Sequence, residues 1–137
     1  MTDKILIDTN LWVYLYSKNP TDKYLKIRQI VAENISTIVI STQILGELYH
    51  VLTRKNLVPV SEAREIILEM ITNFPILEID TMKVIQALEI NTRYRYSYWD
   101  SLIIATALLS NCGLLYSEDM HHEQLIDDKT RIMNPFV

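Results

Sequence analysis

Cysteine is almost absent from this 137-residue chain: Cys112 stands alone, which excludes an internal disulfide framework and a multi-cysteine zinc site. A reducing compartment is the natural setting. Glycine and proline are scarce too, at two and four residues, which argues against a loop-rich or disordered chain. No run reaches about 18 apolar residues, the length a membrane span needs. Near the start, Asp3 and Asp8 bracket an apolar run too short for a secretory core, so the reading is soluble and cytosolic. A basic excess is also missing. The formal net charge is −4 and the pI about 5.3, whereas a protein that coats nucleic acid should be basic. An enzyme acting on nucleic acid is less affected, because bound cations offset acids.

What is present fits one domain spanning residues 1–137, with 49% hydrophobic residues available for a core. Short apolar runs alternate with helical patterns. Lys4-Ile5-Leu6-Ile7 reads as a strand ending at Asp8, and Asn10 as the cap of a following helix. Thr21 or Asp22 opens another helix, and Thr37 to Ile40 forms a second strand. Ser41-Thr42 begins a helix carrying Glu47, and Ser61 begins the next. Ile76 to Ile79 forms a third strand before a helix capped at Asp80-Thr81. Residues 101–112 read as an apolar helix ended by Gly113. Leu114 to Tyr116 is a fourth strand, and Arg131 to Met133 a candidate edge strand. Such alternation predicts an α/β/α three-layer sandwich around a mainly parallel sheet of four or five strands.

Ligands of such sheets bind beyond the carboxyl ends of the strands. Asp8 and Asp119 each follow a strand, Glu47 lies about a turn and a half into a helix, and Asp100 opens the apolar helix. These four acids, 39, 53 and 19 positions apart, can meet only through folding. Each has a plain structural reading alone: a turn or cap for Asp8, a solvated helix position for Glu47, the Ser97-to-Asp100 capping pattern, a loop residue for Asp119. Together they propose a carboxylate cluster. An oxygen-only donor set matches Mg²⁺ or Mn²⁺ better than Zn²⁺. His121-His122 reads as surface and Cys112 as packing. Arg93 to Trp99 interleaves cations and aromatics, which reads either as a surface that stacks bases and holds phosphates or as an amphipathic helix end whose arginines complement the dipole and whose aromatics are core or dimer contacts; Arg93, Arg95 and Tyr96 are the RNA-binding candidates, with Trp99 leaning to the core. Arg54 and Lys55 are open to the same two readings.

In this order, Asp8-Thr9-Asn10 after a strand, Glu47 on a helix, Trp99-Asp100 opening an apolar helix and Ser117-Glu118-Asp119 after a strand, the chain resembles the PIN-domain nucleases. The resemblance implies Mg²⁺- or Mn²⁺-dependent hydrolysis of single-stranded RNA. It assigns Asp8, Glu47, Asp100 and Asp119 as metal-binding and catalytic, with Thr9, Asn10 and Ser117 in support. Chain size points to the VapC-like toxins of toxin–antitoxin pairs, which implies a cognate antitoxin and a homodimer. A housekeeping RNA-processing role stays open. Two other readings also stand: a small-molecule phosphohydrolase with Asp8 as nucleophile, weakened because Asn10 stands where a second Asp belongs, and a non-catalytic nucleic-acid-binding module.

Overall fold

The computed structural model describes residues 4–137, so Asp3 lies outside the described residues. These form six helices and a six-stranded sheet. In chain order they are β1 (Lys4–Ile7), α1 (Thr9–Ser17), α2 (Thr21–Glu33), β2 (Ile38–Ser41), α3 (Thr42–Arg54), α4 (Val60–Asn73) and β3 (Ile76–Leu77). Then come α5 (Thr81–Tyr94), α6 (Tyr98–Leu109), β4 (Cys112–Tyr116), β5 (Leu125–Ile126) and β6 (Thr130–Met133). The strand order is β3-β2-β1-β4-β6-β5, and every pairing is parallel except β5 with β6. This is the expected α/β fold, with one more strand than the upper expectation.

Sequence dictates much of the layering. Leu6, Ile40 and Leu115 on the central strands are fully buried, as a sheet covered by helices on both faces requires. From α1 and α3, Leu11, Trp12, Ile44, Leu48 and Leu52 join them in the main core. The indole of Trp12 donates to the Ile7 carbonyl at 3.1 Å, fixing the end of β1. Helix α6 is buried along nearly its whole length and shares a small second cluster with α5, built on Ala87, Leu102 and Ala105.

Several local expectations are corrected. The N-cap of α1 is Asp8 rather than Asn10, with its carboxylate accepting from the Thr9 amide. Helix α6 runs from Tyr98 and stops at Leu109; Asn111 takes the left-handed conformation (φ 58°) that ends it, and Gly113 lies within β4. The Arg131–Met133 segment is not an edge. It pairs with β4 as part of β6, and β5 closes the sheet beyond it. Helix α2 is preceded by Pro20 at its N-cap position rather than capped by Thr21 or Asp22, and α4 begins at Val60, one residue before the expected Ser61.

Candidate active site

Strand β1 sits between β2, which precedes β3 to one side, and β4, which leads to the other. Such a reversal of strand order opens a crevice outside the carboxyl ends of the two strands. Asp8 leaves β1 at that point, and its amide donates to the Tyr116 carbonyl at the end of β4, at 2.9 Å. Ser117 is the next residue. A cavity of about 310 Å³ opens here, lined by Asp8, Glu47, Asp100 and Asp119 with Thr9 and Asn10. His50, Val51 and Ile103 complete its wall. All four predicted acids therefore reach one cavity, from β1, α3, α6 and the loop after β4.

The supporting residues hold the acids. Asp8, only 5% exposed, accepts at one oxygen from the Thr9 amide (2.7 Å) and at the other from the Ser117 hydroxyl (2.8 Å). The Thr9 hydroxyl donates to Glu47 Oε1 at 2.6 Å, and the Asn10 amide donates to Asp119. Ser117 also accepts from the Asp119 backbone amide at 3.2 Å, so one hydroxyl ties two of the acids together. Asp100 occupies the first turn of α6, where the helix N-terminus favours negative charge; its amide donates to the Ser97 hydroxyl at 3.1 Å.

Electrostatics make the cluster costly as it stands. Burial pushes the Asp8 carboxyl up from 3.8 to about 7; its hydrogen bonds from Ser117 and Thr9 oppose the rise, and the charges of Asp100 and Glu47 add to it. Asp100 is also raised, first by burial and then by Asp119 and Glu47. No Lys or Arg lines the cavity among the described residues. The missing counter-charge, together with a donor set made of oxygens, fits a hard divalent cation. Among the described residues no three His, Cys, Asp or Glu side chains stand close enough to form a ready-made cage. Mg²⁺ does not need one, since it keeps several waters and takes one or two carboxylates directly.

The aromatic–basic segment is rearranged relative to expectation. Helix α5 ends at Tyr94, and Arg95 turns the chain in the left-handed region (φ 64°). Tyr96 thereby drops into the core, 9% exposed, its hydroxyl donating to Gln124 and accepting from the His121 amide. Its ring is no stacking platform. Arg93 pairs with Asp127, and Arg95 is exposed. Trp99 is 62% exposed, packed edge-on against Tyr98, so its leaning to the core is corrected.

Two residues of the site escaped the sequence reading. Gln43 donates through Nε2 to Glu47 Oε2 and to the Trp99 carbonyl, both at 3.1 Å, which links α3 to the start of α6. Its own Oε1 is buried without a partner, the consequence of aiming the amide at two acceptors. His50 lines the cavity one turn after Glu47. The signal for both was helical spacing: positions 43, 47 and 50 share a face.

Sheet order and pocket together define an α/β domain with an acidic, cation-suited cleft at the carboxyl edge of a parallel sheet. The chain belongs to the PIN-domain family, whose model matches residues 5–126. No curated protein sequence matches it. Solved structures share the fold. A toxin–antitoxin complex from Klebsiella pneumoniae aligns with a TM-score of 0.74 at 17% identity, covering 96% of this chain and 98% of the other. DNA-bound VapBC from Salmonella typhimurium gives 0.73 at 19%, covering 97% and 98%. Mycobacterium tuberculosis VapC20, a Sarcin-Ricin loop cleaving toxin, gives 0.67 at 20%, covering 82% and 87%.

Proposed function

We propose that this single domain is a metal-dependent endoribonuclease that hydrolyses phosphodiester bonds of single-stranded RNA. One observation carries the reading: four acids remote in sequence line one cavity with no Lys or Arg among the described residues to neutralise them. Asp8 and Asp100 are the principal ligands of a Mg²⁺ or Mn²⁺ ion, with Glu47 and Asp119 completing the pocket directly or through water. A bound ion of this kind supplies Lewis acidity at the phosphoryl group and eases deprotonation of a water. The chain's own groups do the positioning. Thr9 and Gln43 hold the two oxygens of Glu47, Ser117 and the Thr9 amide hold those of Asp8, and Asn10 holds Asp119. These hydrogen bonds orient Asp8, Glu47 and Asp119 before substrate arrives, the kind of preorganisation on which such sites rely. Exposed Arg95 remains the candidate from its segment for holding the RNA backbone.

The structural neighbours are toxins and toxin–antitoxin complexes, which supports a toxin role with a cognate antitoxin; a homodimer and a cytoplasmic setting are further parts of this proposal. No helix among the described residues is long and apolar enough to cross a membrane. The decisive experiment is cleavage of a single-stranded RNA with Mg²⁺ or Mn²⁺. Asp8→Asn and Asp100→Asn should each lose orders of magnitude in rate, and wild-type activity in either variant would remove the mechanism.

A further inference from the structure

We propose that His50 is the proton donor to the leaving oxygen in phosphodiester hydrolysis at this pocket, an inference that rests on the nuclease reading above. Of the three histidines, two are occupied structurally. His122 accepts the Asn134 amide at Nδ1 (2.9 Å), and His121 packs its ring against Tyr96 at 5.5 Å between centroids. His50 differs on both counts. It lines the acidic cavity, and among the described residues no hydrogen bond engages its imidazole. Its direction follows from helix geometry. Glu47, His50 and Val51 fall at i, i+3 and i+4 on α3 and all three line the cavity, while Ile44, Leu48 and Leu52 on the same helix are buried in the core.

The chemistry needs such a group. An alkoxide leaves a phosphodiester poorly at neutral pH, and a positioned acid contributes about 10²- to 10⁴-fold. The four carboxylates are required in their ionised form to hold the cation, so they are unsuited to giving a proton. Of the remaining side chains that line the cavity, the His50 imidazole is the one able both to take up and to give up a proton. Glu47 faces His50 from its own helix, with Asp8, Asp100 and Asp119 across the cavity and Arg54 one turn further along α3. Asn10 on α1 is uncharged, and α4 meets α3 through apolar Ala63, Ile66 and Met70. In the step, a water oxygen bonds to phosphorus and the bond from phosphorus to the leaving ribose oxygen breaks. That oxygen keeps the electron pair and takes the imidazolium proton. The water proton departs to solvent, from which His50 is recharged.

The test compares wild type with His50→Gln on two single-stranded RNA oligonucleotides, one ordinary and one with sulfur in place of the leaving oxygen. A thiolate leaves without help from an acid. His50→Gln should lose about 100-fold or more in kcat on the ordinary RNA and come within about fivefold of wild type on the sulfur substrate. Its affinity for an uncleavable oligonucleotide, read by fluorescence anisotropy, should stay within twofold. An equal defect on both substrates, or none on either, overturns the role of His50 while leaving the nuclease reading intact. A wild type that cleaves neither removes the nuclease reading and this proposal with it.

Discussion

Replacing Asp8 with Asn should stabilise the metal-free protein, an unusual outcome for a buried residue at a site. The wild-type carboxyl ionises at about 7 in the fold against 3.8 in the open chain, chiefly because burial strips it of water. A raised acid has a definite sign: the folded state holds a proton that the unfolded state releases. The associated stability is complete below pH 4 and is lost as pH climbs through 7. At about 1.4 kcal/mol per unit, roughly 4 kcal/mol disappears by pH 8. Asparagine keeps the shape without the charge. Its carbonyl can accept the Thr9 amide, and its NH₂ can donate to a Ser117 hydroxyl that rotates to accept. Allowing for relaxation around the wild-type charge, Asp8→Asn should gain about 2–3 kcal/mol at pH 8 in chelator, or about 6–12 °C in melting temperature for a domain of this size. At pH 4 the two proteins should melt together. Mg²⁺ should reverse the ranking by raising only the wild type, by about 4.1 kcal/mol at a thousandfold excess over Kd. The assay is thermal unfolding by circular dichroism across pH 4–8, with chelator or with Mg²⁺. If the variant in chelator at pH 8 melts no higher than wild type, or if Mg²⁺ raises both equally, the electrostatic reasoning is wrong.

Gln43→Met removes both donors to Glu47 and the Trp99 carbonyl while relieving the orphaned Oε1. Stability should change by no more than about 1 kcal/mol, whereas RNA cleavage should fall at least tenfold; the reverse pattern would show Gln43 to be structural. Cys112 is fully buried and its thiol is pushed up to about 11, so iodoacetamide should leave it unmodified in the native protein and label it in 6 M guanidinium. Trp99 and Trp12 are the two tryptophans, one exposed and one 1% exposed. Acrylamide should therefore quench part of the emission, and Trp99→Phe should abolish that fraction. Arg93→Ala breaks a solvent-screened pairing with Asp127 and should leave the midpoint of a denaturant titration nearly unchanged.

The acids were legible because strand ends are. Apolar runs stopping at Asp8 and before Ser117 mark where a parallel sheet meets solvent, and the crevice between neighbouring strands does the rest. Features set by single backbone conformations were not. The αL turn at Arg95 inverts the expected roles of Tyr96 and Trp99, because one residue of opposite handedness redirects the chain before α6 begins. The same holds at Asn111, which ends α6 early and frees Gly113 for β4. Strand β5 was missed since its hairpin to β6 turns on Asp127 and Asp128, both at positive φ, without the Asn-Gly or Asp-Gly pair that signals such turns. Gln43 and His50 were within reach: extending the face of α3 from Glu47 by one turn each way finds both.

A structure grown with Mn²⁺ and measured at an anomalous-scattering wavelength tests most directly whether these acids exist to share a cation. A peak about 2.0–2.5 Å from carboxylate oxygens of Asp8 and Asp100 is the expected result. With Mn²⁺ saturating, an empty cleft or a peak bound only elsewhere on the molecule would contradict it.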